Sequence, residues 1–156
     1  MYQAHFGLHR QLFQGGDPAR TWLMSQSIRR LLPSVLHAVH SDLGFALVTG
    51  PAGAGKTAFL KYLQSRLTSE LRVLPCSGSG LCDAAALRLV IQIGVSRSAL
   101  EDAGVAAVEW SRTQLLSQLR RAQEFWGPVL LLIDDAHLIP PAVLNELRSL
   151  SEEQEA

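Results

Sequence analysis

The sequence predicts an α/β fold with a mostly parallel sheet. Three observations lead there. Short unbroken apolar runs, FALV at residues 45–48 and VLLLI at 129–133, have the composition of strands covered on both faces. Segments with helical apolar spacing alternate with them, the order that layered α/β folds require. Each run ends in polar or conformationally special residues, GPAGAGKT after the first and two aspartates after the second.

The 156 residues suit one main domain, with 47% hydrophobic and 18% charged residues. That balance excludes a wholly disordered chain. Lys+Arg 14 against Asp+Glu 14 gives a net charge of +0, so bulk charge offers no footprint for nucleic acid. The longest apolar run is far short of the roughly 20 residues of a spanning helix. The start MYQAHFGL lacks the pattern of a signal peptide. Residues 1–42 read as an N-terminal segment and helix, and residues 43–156 as the main domain.

Taken in order, residues 14–18 (QGGDP) form a turn cluster. Ile28, Leu31, Leu32, Val35, Leu36 and Val39 then repeat at three and four, an amphipathic helix. Pro33 lies inside this pattern, so the helix starts near Ser34 or kinks there. Asp42, Leu43 and Gly44 break it. Residues 45–48 are expected as a buried parallel strand. After GPAGAGKT, a helix carries Phe59, Leu60, Leu63 and Leu67 on one face. Leu71, Arg72, Val73 and Leu74 form a second strand, closed by Pro75. Asp83 caps a helix through Ala84, Leu87, Val90 and Ile91. Residues 94–110 are less regular. A helix over 113–126 buries Leu115, Leu116, Leu119, Ala122 and Phe125, and Gly127-Pro128 stops it. The third strand, 129–133, leads into Asp134 and Asp135. Pro140 and Pro141 open a last helix with Val143, Leu144, Leu147 and Leu150. The tail SEEQEA is polar and acidic.

GPAGAGKT fits the phosphate-loop pattern G-x-x-x-x-G-K-[ST] at Gly50, Gly55, Lys56 and Thr57, between a strand and a helix. The residue types suit the chemistry. Small residues at Ala52, Gly53, Ala54 and Gly55 let the backbone curl its N–H groups around a phosphate. The following helix adds the positive end of its dipole. Gly50, Pro51, Ala52, Gly53, Ala54, Gly55, Lys56, Thr57 and Ala58 are thus the candidate nucleotide-binding residues. Lys56 would bridge the β- and γ-phosphates, and the Thr57 hydroxyl would sit on Mg²⁺. At the end of the third strand, Asp134 would complete the Mg²⁺ shell and Asp135 would orient and deprotonate the attacking water. Lys56 and Asp135 are the candidate catalytic pair. His137 is expected to serve the turn or packing, with contact to the γ-phosphate or the water as the alternative.

The 2 cysteines, Cys76 and Cys82, flank a loop and read as structural. His37 and His40 share a helical face, but no third ligand accompanies them.

These residues resemble a known family. MYQAHFGL, then a helix, then FALVTGPAGAGKTAFLKYL, then VLLLIDDAHLIPPAVLNELRSLS is similar to the ExeA/GspA-type AAA+ ATPases of general (type II) secretion. Exosortase-linked and transposition ATPases share that plan. Tyr2, Phe6, Gly7 and Leu8 carry the subfamily pattern. The resemblance implies a three-layer P-loop NTPase of the AAA+/ASCE type and a Mg²⁺-dependent ATPase that works as a homo-oligomer. It implies a protein partner in the secretion or envelope machinery, or a transposase with DNA in the transposition members. It also implies a bacterial cytoplasmic location, with a membrane anchor left open beyond Ala156. ATP over GTP rests on the resemblance, and residues 6–13 would lie near the adenine.

The chain departs from the family in three ways. Asp135 stands where the family usually has Glu, one methylene longer. The usual proline before the N-terminal phenylalanine is absent at Gln11-Leu12-Phe13. The polar sensor on a fourth strand, the arginine finger, the fifth strand and the helical lid are not visible by Ala156. The sequence is therefore expected to be the N-terminal part of a longer plan, with FALV and VLLLI either pairing directly or leaving apolar strand edges open. An ATP-binding switch with weak or no hydrolysis is the alternative to an ATPase, and a small-molecule phosphotransferase is disfavoured.

Overall fold

The computed structural model describes His5, Gly7 and residues 24–41, 45–96 and 110–152. Tyr2, Phe6, Leu8, the adenine segment at 6–13, the turn at 14–18 and the helix break at 42–44 lie outside the described residues, as do residues 97–109 and the end of the acidic tail. The chain divides into two compact units, Met1–Ser65 and Arg66–Ala156.

In the first unit, helix α1 spans Gln26–His40. Ser25 is its N-cap, and its hydroxyl accepts from the Ile28 N–H at 3.3 Å. Such a cap contributes about 1 kcal/mol. The helix therefore begins seven residues before Pro33 and runs through it, so a start near Ser34 is ruled out. Pro33 is exposed, where its ring has room, but it has no N–H to give to the Arg29 carbonyl. Helix α2, Lys56–Leu67, buries Phe59, Leu63 and Leu67 as its spacing predicts.

Residues 45–48 do not form the expected strand. They carry no regular structure, and Phe45 and Leu47 are 60% and 79% exposed. An apolar run has strand propensity, but a strand exists only through its ladder. This segment has no ladder partner among the described residues.

In the second unit, strand β1 (Arg72–Ser77) pairs in parallel with β2 (Val129–Asp134), in register from Arg72 opposite Val129 to Ser77 opposite Asp134. The described sheet has these two strands. β1 does not close at Pro75 but continues through it. The Arg72 N–H donates to the Pro128 carbonyl at 3.2 Å. Backbone groups of a strand alternate sides, so Arg72, Leu74 and Cys76 face β2, while Val73, Pro75 and Ser77 face away. The N–H that Pro75 lacks would have pointed off the sheet, so the ladder does not miss it.

Helices α3 (Ala84–Ser96), α4 (Arg112–Trp126) and α5 (Pro141–Glu152) build the core. Asp83 caps α3 by accepting from the Ala86 N–H at 2.7 Å. Ser111 caps α4 in a reciprocal box, its hydroxyl accepting from Gln114 N and the Gln114 side chain accepting from Ser111 N. Pro141 occupies the first position of α5, where a missing N–H costs no helical bond. Leu87, Leu115 and Val143, one from each helix, are fully buried in a single apolar cluster. Each such side chain contributes about 1.5–3 kcal/mol. Arg112 ties α4 to α5 through Glu146 at 3.4 Å and through the Ser149 hydroxyl.

Two expected core residues lie outside it. Phe125, in the last turn of α4, is 82% exposed, and Leu144 of α5 is 49% exposed. The core meets these helices along narrower stripes than the apolar positions mark. Among the described residues, no helix is long and apolar enough to cross a membrane. No group of three or more His, Cys, Asp or Glu that could hold a metal occurs among them either.

Candidate nucleotide-binding site

The loop at residues 50–55 enters α2 directly. The Phe59 N–H donates to the Gly55 carbonyl at 2.8 Å, which makes Gly55 the last residue before the helix. The N–H groups of Lys56, Thr57 and Ala58 therefore fall in the first turn, where a helix offers them no internal acceptor. No acidic side chain stands in that turn to compete for them. The Ala54 N–H donates to the Pro51 carbonyl at 3.3 Å and folds the loop on itself. Gly53 and Gly55 have φ of +76° and +86°. A side chain would be strained at either, so the motif's glycines are required by backbone shape. The loop is exposed from Gly50 to Ala54, and Lys56 is half-buried.

The Lys56 ammonium donates to the carbonyls of Gly50 at 3.0 Å and Pro51 at 2.9 Å. The lysine thus curls back over the loop that precedes it, and its charge lies beside the loop carbonyls. Thr57 is exposed at the head of α2, with its hydroxyl available as an oxygen donor.

Asp134 and Asp135 stand at the C-terminal end of β2. Asp134 is half-buried, and its Oδ1 accepts from the Asp135 N–H at 3.0 Å. That bond fixes one carboxylate oxygen and leaves Oδ2 for a cation. Asp135 is exposed and has φ 51° and ψ 43°, the one non-glycine residue with positive φ among those described. Aspartate tolerates this left-handed region better than most residues. A short 3-10 turn, Ala136–Leu138, follows, closed by the Leu138 N–H on the Asp135 carbonyl at 2.9 Å. His137 is exposed in that turn.

A model described as an AAA domain matches residues 39–156, most of the chain. The chain belongs to the AAA domain family. It has the P-loop NTPase fold of that family, which supports nucleotide binding at family level. The chain is also 26% identical over 155 residues to general secretion pathway protein A of Aeromonas hydrophila. The match covers 97% of this chain and 27% of that protein. The chain therefore spans about a quarter of its relative's length. No solved structure matches it at a comparable level.

The loop of this AAA domain lies in the first compact unit and its carboxylate pair in the second. The Thr57 hydroxyl and the Asp134 carboxylate are each hard oxygen donors, the ligand type that Mg²⁺ takes. Two features were not signalled in the sequence. The left-handed backbone at Asp135 is one. The other is the close approach of Gly78, from the SGSG turn after β1, to that same residue. SGSG marks a turn, but not what the turn packs against.

Proposed function

We propose that this AAA domain binds Mg·ATP and hydrolyses it, driving assembly or remodelling of a secretion or envelope complex. One observation carries the reading. A loop with two left-handed glycines holds its own lysine over the head of a helix that has no acid in its first turn. That arrangement suits a polyphosphate.

In this reading, while the Ala54 N–H stays on Pro51, the N–H groups of Gly53 and of Gly55 to Ala58 bind the β- and γ-phosphates. Lys56 adds a positive charge between them, and its bonds to Gly50 and Pro51 keep it aimed at the loop. Thr57 and Asp134 would hold the cation, which would supply neutralisation of charge on the phosphate oxygens. Asp135 accepts the proton of a water as that water attacks the γ-phosphorus. The bond to the β–γ bridging oxygen breaks, and ADP and phosphate result.

The similarity to a general secretion protein supports the choice of partner. ATP supply puts the domain on the cytoplasmic side. A second reading, an ATP-binding switch with slow turnover, is favoured by Asp135, whose side chain is one methylene shorter than glutamate. Single-turnover hydrolysis of Mg·ATP, compared with Asp135→Asn, separates the two. Rapid phosphate release that collapses in the variant supports the ATPase. Tight binding with equally slow release in both proteins leaves the switch.

A further inference from the structure

We propose that Gly78 is a positioning residue for the Asp135 carboxylate. The proposal rests on the reading of Asp135 as the group that activates water. Ser77 is in register with Asp134, so the turn that leaves β1 runs beside the turn that leaves β2. Gly78 is buried at the head of the 3-10 turn Gly78–Gly80. A Cβ built on it would overlap the Asp135 carbonyl oxygen and lie 3.0 Å from the Asp135 carbonyl carbon. It would also come within 3.3 Å of Ile139 Cγ1.

The obstacle at Gly78 is main chain, which cannot rotate aside as a side-chain tip can. That carbonyl is already committed, because it accepts the Leu138 N–H at 2.9 Å. On its other side, the Asp135 N–H is committed to Asp134 Oδ1. The peptide units flanking Asp135 are therefore held by Asp134 and Leu138, and Gly78 closes the remaining side. Together they hold a backbone conformation that aspartate does not choose by default. A methyl group at position 78 must push the Asp135 peptide, and the carboxylate moves with it.

Gly80 supplies the control. It belongs to the same turn, yet a Cβ there meets nothing within 4 Å. The experiment compares Gly78→Ala, Gly80→Ala and Asp135→Asn in the full chain. It measures kcat for ATP hydrolysis, Mg·ATP affinity, and the backbone amide resonances of residues 134–139. The expected result for Gly78→Ala is a fall in kcat of about 10–100-fold with affinity unchanged. The Asp135 amide resonance should shift, while Gly80→Ala behaves as wild type in all three measurements. A Gly78→Ala protein that turns over like Gly80→Ala, or leaves the Asp135 resonance in place, overturns the proposal. Loss of fold or of affinity together with turnover makes Gly78 structural and also overturns it. Turnover that does not depend on Asp135 is a different failure, read from Asp135→Asn alone, and removes the underlying reading.

Discussion

The guanidinium of Arg72 closes on the Gly94 carbonyl, donating through Nε at 2.9 Å and Nη2 at 2.6 Å. Arg72 begins β1, and Gly94 lies in the last turn of α3, where carbonyls lack helical partners. One side chain thus satisfies a helix end and ties it to the sheet. Replacing it with Met keeps much of the apolar stem and removes both bonds. Arg72→Met should lower unfolding stability by about 1.5–3 kcal/mol, the range for hydrogen bonds to charged groups. Urea denaturation measures the loss, and an unchanged midpoint would show that water serves the carbonyl as well.

Lys56→Ala should abolish tight Mg·ATP binding while leaving the fold intact. The ammonium bonds to exposed loop carbonyls, so its removal opens no apolar cavity. Losing a charge-assisted contact to phosphate costs about 1.5–3 kcal/mol, or roughly 10–150-fold in Kd. Titration calorimetry reads it directly. Equal affinity in the two proteins would refute the phosphate-loop assignment.

Asp135→Glu sets reach against backbone cost. The longer side chain should keep or raise turnover. Glutamate enters the left-handed region less readily than aspartate, so Tm should fall slightly. Steady-state hydrolysis and a thermal melt on the same sample test both halves. A marked loss of turnover would show that the local geometry is built around the shorter acid.

Ser111→Ala removes one half of the box that starts α4 and should cost about 1 kcal/mol. The melting temperature is the readout. The Gln114 side chain still reaches the residue-111 N–H after the change, so a drop much larger than one cap would point to an additional role for the hydroxyl.

Burial pushes the Cys76 thiol from 9.0 up to about 11, whereas Cys82 is exposed. Alkylation at pH 8 should therefore modify Cys82 first, because the thiolate is the nucleophile and about one Cys76 in a thousand carries it. The folded state holds the Cys76 proton more tightly than the unfolded state. The associated stability is fully present below pH 9.0 and is lost as pH rises through about 11. Peptide mass mapping of a timed alkylation decides the order.

The parts that could be read from the sequence were those that local chemistry dictates. GPAGAGKT defined its loop because the positive φ at Gly53 and Gly55 requires glycine. Asp83 began a helix because its side chain satisfies a first-turn N–H group. What failed depended on neighbours. FALV advertised burial but not a partner, and without a ladder it is not a strand. Pro75 looked like a stop because its harmlessness depends on register, which no local pattern reveals. Phe125 and Leu144 fitted the helical period, yet the core is narrower than the stripe. The approach of Gly78 to Asp135 joins residues far apart in sequence, and only the parallel register of β1 and β2 brings them together.

Pro75 also gives the sheet a direction of growth. A strand arriving along the outer side of β1 would find N–H donors at Val73 and Ser77 and a blank rung between them. Zippering needs consecutive rungs, so such an encounter stalls after one step and dissolves. One imino acid, at no cost to the pairing with β2, makes this flank a poor template for misassembly during folding.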